Sequence, residues 1–146
     1  MKKRIALLMA SIMFLSLVAC GGSKSKSKDE EEEEVDPVEE AKEKLEEAYD
    51  TCCEGSSYEY ASLGYDNMSL TIDTNPTNKS SDDNESDAMA AIVAINSYLG
   101  IPSSVLDKMS STRALDGMQT QDCGTYTVTW NYHPDNGMKV IYEVNP

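Results

Sequence analysis

Thr125–Val144 reads TYTVTWNYHPDNGMKVIYEV, and its pattern decides the fold. Tyr126, Val128, Trp130 and Tyr132 alternate with Thr125, Thr127, Thr129 and Asn131. A period of two puts one set on a buried face and the other toward water. Pro134-Asp135-Asn136-Gly137 then breaks the run. Proline presets φ for the first half of a turn, and glycine is free to take positive φ. Met138, Val140, Tyr142 and Val144 supply the apolar face of a returning strand. A hairpin with one dry face needs a further layer to cover it.

The residues upstream supply that layer. Asp122-Cys123-Gly124 is a tight turn, and Arg113–Gln121 is a weaker strand that completes a three-stranded meander. Ala88, Ala91, Ile92, Ile95, Tyr98 and Leu99 share one side of a helix predicted over Asp82–Leu99, with Met89, Val93 and Ala94 widening it. So broad an apolar arc marks a central core helix. Asp82, Asp83 and Glu85 suit its positive end, and Gly100 closes it. Ile101-Pro102-Ser103-Ser104 starts a shorter helix to about Ser110, with Ser104 and Asp107 at capping-box spacing.

Further upstream, Met68, Leu70 and Ile72 alternate with Ser69, Thr71 and Asp73. This predicts a strand at the end of Tyr65–Thr74, stopped by Asn75-Pro76. Thr77–Asp87 reads as a polar loop, and Ser56–Gly64 as an aromatic-rich edge or loop. Pro37–Cys53 reads as a helix whose apolar stripe is Val38, Ala41, Leu45, Ala48, Tyr49 and Cys52. Asp36 is its N-cap, Pro37 its first residue, Glu40–Lys44 a favourable i,i+4 pair and Gly55 its stop. The expected class is α+β. A single antiparallel sheet takes one strand, then helices, then the three-stranded meander, with the helices on one face.

The N-terminus, MKKRIALLMASIMFLSLVAC, sets the domain plan. Lys2, Lys3 and Arg4 precede an uncharged, mostly apolar run of 15 residues, Ile5–Ala19. That is short of the roughly 20 residues a membrane-spanning helix needs and suits a signal-peptide core. Leu17-Val18-Ala19-Cys20 resembles the lipobox of bacterial lipoproteins. The resemblance implies cleavage before Cys20 and lipid on its thiol, so that the membrane is a partner through that lipid. It also implies an extracytoplasmic location, on the cell membrane of a Gram-positive cell or the outer membrane of a Gram-negative one. The plan is therefore a signal peptide over 1–19, a lipidated cysteine and charged tether over 20–36, and one α+β domain over 37–146.

The tether, GGSKSKSKDEEEEEVD over 21–36, has one aliphatic residue and too little apolar surface to offset the entropy of ordering it. Its lysines lie nearest the lipid and its acidic block further out. The whole chain has 26 acids against 12 bases, a net charge of −14. Three of those bases and no acids lie in 1–19, so the mature chain holds 26 against 9, or −17. Such a charge argues against nucleic acid and against broad contact with anionic membrane.

No catalytic motif is legible. His133 is the only histidine, so a nucleophile–base–orienter set has little to draw on. Asp73, Asn75, Asp82, Asp83, Glu85 and Asp87 do not fit the calcium-loop pattern, because Pro76 interrupts them and the loop glycine and closing glutamate are missing. No metal or other cofactor is expected. After Cys20 three cysteines remain, Cys52, Cys53 and Cys123. Either Cys123 bridges to Cys52 or Cys53, or all three are buried thiols. Trp130 with Tyr58, Tyr60, Tyr65, Tyr126, Tyr132 and Tyr142 would line either a core or a groove for a carbohydrate or peptide.

A helix, then Leu99-Gly100-Ile101-Pro102, then a meander also resembles the small helix–helix–three-strand envelope lipoproteins. That resemblance implies an interaction module and no enzyme, and it carries over no functional residue. The expected function is to bind a protein or an envelope component. The alternative is to bind a small ligand such as a peptide, glycan or cation, and an enzyme comes third.

Overall fold

A computed structural model describes residues 36–53, 58–78 and 85–146. Three α-helices, two short 3-10 turns and five strands follow in the order α1 (Pro37–Cys52), a 3-10 turn at Tyr58–Tyr60, β1 (Ala61–Leu63), β2 (Ser69–Asp73), α2 (Glu85–Leu99), α3 (Ser103–Ser111), a 3-10 turn at Ala114–Asp116, β3 (Gln119–Asp122), β4 (Tyr126–His133) and β5 (Gly137–Val144). The sheet is antiparallel throughout, in the order β1-β2-β5-β4-β3. The protein is α+β, as its alternating and helical periods require.

The hairpin forms in the expected register, with His133 opposite Gly137 and Trp130 opposite Val140. Asn136 N–H donates to His133 C=O at 3.2 Å, and Gly137 takes a φ of +74°. Any Cβ on Gly137 would also run into the Thr74 hydroxyl. That hydroxyl accepts from Met138 N–H at 2.8 Å, and Thr74 N–H donates to Met138 C=O at 2.9 Å. The tip of β5 is thus tied to the end of β2.

The helices cover one face. Leu70, Ile72, Val128, Trp130, Val140 and Tyr142 point toward them and are buried. Three aromatics of β4 and β5 each reach a different helix. Tyr126 Oη donates to Ala41 C=O on α1 at 3.0 Å, and Tyr142 Oη to Asn96 Oδ1 on α2 at 2.9 Å. Trp130 Nε1 donates to Thr112 Oγ1, just past α3, at 2.8 Å. Each aromatic buries its ring and satisfies its polar end at once. Tyr132, two residues beyond Trp130 on the same strand, is exposed and does not join the core.

Local signals explain the helix ends. Asp36 Oδ1 accepts from Val38 N–H at 2.9 Å, which satisfies one orphan donor of α1. The first-turn ion pair is Glu39–Lys42 at 2.8 Å, and among the described residues Glu40–Lys44 does not form one. At the end of α2, Ile101 N–H reaches back to Asn96 C=O at 2.8 Å, and Gly100 has a φ of +74°. This is a Schellman closure. The capping box expected at Ser104 and Asp107 is not made, because the N-cap is Pro102, two residues before Ser104, with no side-chain cap.

Two strand assignments need correction. The sheet has five strands where four were expected, because Ala61–Leu63 pairs with β2 through a turn in which Gly64 N–H meets Ser69 C=O at 2.7 Å. Tyr65 and Asp66 fall in that turn, outside the strand. Arg113–Gln121 is not one strand. Asp116 folds back on Arg113, and only Gln119–Asp122 pairs with β4. The expected signal peptide, Cys20 and the tether as far as Val35, with Gly55, Asp82 and Asp83, lie outside the described residues.

Candidate interaction surface

Arg113-Ala114-Leu115-Asp116 is a closed turn. Arg113 N–H and Nε donate to Asp116 Oδ2 at 2.8 and 3.3 Å, and Arg113 Nη2 donates to Oδ1 at 3.0 Å. Asp116 N–H returns to Arg113 C=O at 2.9 Å. These donors hold the Asp116 carboxyl below its ordinary pKa, the guanidinium bond first and the backbone bond second. Gly117 leaves the turn with a φ of +67°. Between the two closures Leu115 stands 95 % exposed, and Met118 follows at 69 %.

Beside this turn is a cleft of about 320 Å³ between the end of α3 and β3, with Lys108, Thr112, Gln119, Gln121 and Trp130 among its walls. The end of α3 has no glycine, so hydroxyls close it. Ser110 Oγ donates to Leu106 C=O at 2.8 Å, Ser111 Oγ to Asp107 C=O at 3.0 Å and Thr112 Oγ1 to Lys108 C=O at 2.7 Å. Lys108 Nζ crosses to Gln121 Oε1 at 2.6 Å and ties α3 to β3. A second cleft, of about 240 Å³, lies between Glu40, Glu43, Lys44 and Glu47 of α1 and Tyr98 of α2. There Tyr98 Oη donates to Glu47 Oε2 at 2.9 Å.

The residues singled out from sequence do not converge. His133 is exposed, and its Nδ1 accepts from Asp135 N–H at 3.2 Å within the hairpin turn. Asp73 Oδ1 accepts from Asn75 N–H at 3.0 Å, and Asn75 Nδ2 donates to Asp135 C=O at 2.9 Å. Glu85 and Asp87 stay exposed in the first turn of α2. Among the described residues no three His, Cys, Asp or Glu side chains are placed to hold a metal ion. Tyr60, Tyr126, Trp130 and Tyr142 are buried, so these four form core and not a groove. Tyr65 is wholly exposed on the β1–β2 turn, apart from Tyr132 on β4.

The bridge from Cys123 to Cys52 or Cys53 is not formed, and all three are free thiols. Tyr126, which bonds Cys123 across the turn, sits under Ala41 near the start of α1. Cys52 lies eleven residues further along that helix, about 16 Å at 1.5 Å per residue. A disulfide needs its Cα atoms within about 4.4–6.8 Å. Burial instead pushes the Cys53 thiol up to about 11, with the neighbouring Cys52 adding to the shift. Burial also raises Cys52 and Cys123.

Sequence reasoning missed the Leu115 turn because it assigned Arg113–Gln121 to a strand. The usable signal was Arg113-x-x-Asp116-Gly117, a cation and a carboxylate three residues apart before a glycine. No family model, no curated protein and no solved structure matches the chain. Among the described residues no helix is long and apolar enough to cross a membrane.

Proposed function

We propose that this protein is a lipid-anchored, extracytoplasmic binding module. A charged tether from Cys20 holds the α+β domain clear of a membrane, and the domain docks another protein or an envelope component through the Leu115 turn. The observation that carries the docking role is Leu115 itself, 95 % exposed on a turn closed by Arg113 and Asp116. A backbone turn already closed has little freedom left to lose when the side chain it presents is bound. The anchor is supported by the register of Leu17–Cys20 behind a 15-residue apolar run. The acid excess, −17 after cleavage of three bases, supports a domain held off an anionic surface.

The test places a photo-crosslinking amino acid at Leu115 in the membrane-bound chain. A discrete adduct with a molecule other than this chain is expected. Asp116→Ala, which opens the turn, should weaken it. The same probe at Tyr65, equally exposed on another turn, should give none. No adduct at Leu115, or the same adducts at both positions, would refute the docking role.

A further inference from the structure

Strand β3 is an open edge. It is outermost in the sheet and pairs only with β4 among the described residues. Cys123 N–H donates to Tyr126 C=O at 2.8 Å, so that opposed pair is a bonded one. Bonded and non-bonded pairs alternate along an antiparallel ladder. Gln121 and Gln119 therefore turn their backbone groups toward β4, while Thr120 and Asp122 turn theirs outward. Two side-chain bonds agree with this. Gln121 Nε2 donates to Asp122 C=O at 3.0 Å, and Gln119 Nε2 to Met118 C=O at 3.4 Å. The N–H and C=O of Thr120 face solvent at the centre of the edge.

Natural edges are blunted by lysine, proline, bulges or brevity. The other edge, β1, is only three residues long. β3 reads Gln-Thr-Gln-Asp and carries no lysine or proline.

We propose that β3 pairs antiparallel with β3 of a second copy of this chain, about a two-fold axis through Thr120, which joins two five-stranded sheets into one. The pleat fixes the register. Both helix layers lie on the same side only if opposed residues share a face, so the two position numbers must be of equal parity. Thr120 opposite Thr120 then uses both free backbone groups in a bonded pair, and Met118 opposite Asp122 makes the next bonded pair on either side once the Gln119 and Gln121 amides release those two carbonyls.

The side chains suit a second copy at each position. On the helix side Gln119 meets Gln121, amide to amide. On the open face the threonine pair extends a row that already runs Ser62, Thr71, Ile141, Thr129, Thr120 across the five strands. Within that row the Thr120 and Thr129 hydroxyls are 3.2 Å apart. Asp122 meets Met118, so no like charges are opposed. The pairing is independent of the docking role of Leu115.

Two copies each carrying −14 repel. Added salt screens that repulsion and strengthens the pairing, whereas it would weaken the capture of a cationic foreign strand.

The test uses the full chain. In the proposed register two Thr120 Cα atoms stand about 5.5 Å apart, a bonded pair within reach of a short thiol-to-thiol crosslinker. Thr120→Cys, treated with a short bismaleimide in membranes, should give a covalent dimer, and Ser62→Cys on β1 should not. In detergent, light scattering should show a dimer whose fraction rises with protein concentration and with salt. Thr120→Lys sets two ammonium groups opposite each other and should leave a monomer with unchanged circular dichroism and melting. Thr120→Pro, which removes the outward N–H together with the hydroxyl beside Thr129, should also leave a monomer. A monomer at every concentration and salt overturns the proposal, as does the absence of the Thr120→Cys dimer. A dimer that survives Thr120→Lys also overturns it, because that dimer would use another surface.

Discussion

The indole N–H of Trp130 donates to the Thr112 hydroxyl at 2.8 Å, and that hydroxyl donates onward to Lys108 C=O at 2.7 Å. A core residue of β4 is thus linked to the end of α3, where Lys108 C=O also accepts from Ser111 Oγ at 3.0 Å. Trp130 is also 97 % buried, at 3 % exposure. Trp130→Ala should therefore cost about 3–5 kcal/mol. Thr112→Val keeps the shape but orphans the indole N–H, while Lys108 C=O keeps Ser111 Oγ at 3.0 Å, and should cost about 1–3 kcal/mol. Denaturant titration checks both. A change under about 1 kcal/mol for Trp130→Ala would contradict its place in the core.

Asn96 is the second buried polar anchor. Its Oδ1 accepts from Tyr142 Oη at 2.9 Å, while its Nδ2 is buried with no hydrogen-bond partner. Tyr142→Phe leaves both ends of the amide unpaired and should cost about 1–3 kcal/mol. Asn96→Leu alone removes the orphan amide but takes away the nearer acceptor of Tyr142, whose hydroxyl keeps only Ile92 C=O at 3.5 Å. The double variant removes the whole polar pair and should be less destabilised than the sum of the two single variants. Additive losses in a double-mutant cycle would show that the two groups do not act as a pair.

The hairpin was legible because Thr125–Val144 carries a clean period of two and a turn with chemistry of its own. Helices α1 and α2 were legible because Leu45, Ala48, Ile92 and Ile95 recur at helical spacing and are buried. β1 was not, since three residues are too few to display a period. The Leu115 turn was hidden for a different reason. Arg113 and Asp116 read as ordinary surface charges until three-dimensional closure shows them gripping each other. Exposure of Leu115 is likewise a property of the fold, because the residue type alone predicts burial.

Stability should fall in alkali. The Cys53 thiol ionises near 9.0 when exposed and is pushed up to about 11 by burial, with Cys52 as the lesser cause. Burial raises Tyr142 as well. A raised acid favours the folded state only while it is protonated. That contribution is complete below pH 9 and is lost as pH rises toward 11. Melting temperatures taken across this window should drop, and Cys53→Ala should flatten the slope even if it lowers the starting value. Maleimide at neutral pH should modify Cys53 only after unfolding. Rapid labelling of Cys53 in the folded chain would contradict its burial.

The anchor and the tether make the last prediction. Cys20→Ala should abolish labelling by radioactive lipid and leave an uncleaved precursor in the mass spectrum. Acylation that persists, or a mature chain starting elsewhere, would refute the lipobox reading. A chain beginning at Asp36 keeps the N-cap of α1, whose Oδ1 holds Val38 N–H at 2.9 Å, and should melt at the same temperature as one beginning at Gly21. Asp36→Ala should cost about 1 kcal/mol, because it removes that cap. Replacing Glu30–Glu34 by Gly and Ser should shorten the reach of the tether by ending its self-repulsion, and leave the domain intact. Deleting the tether should then reduce the Leu115 crosslink in the lipidated chain and leave it unchanged in an unlipidated one. Loss of the crosslink in both forms would make the acidic block part of the binding surface and refute its role as a spacer.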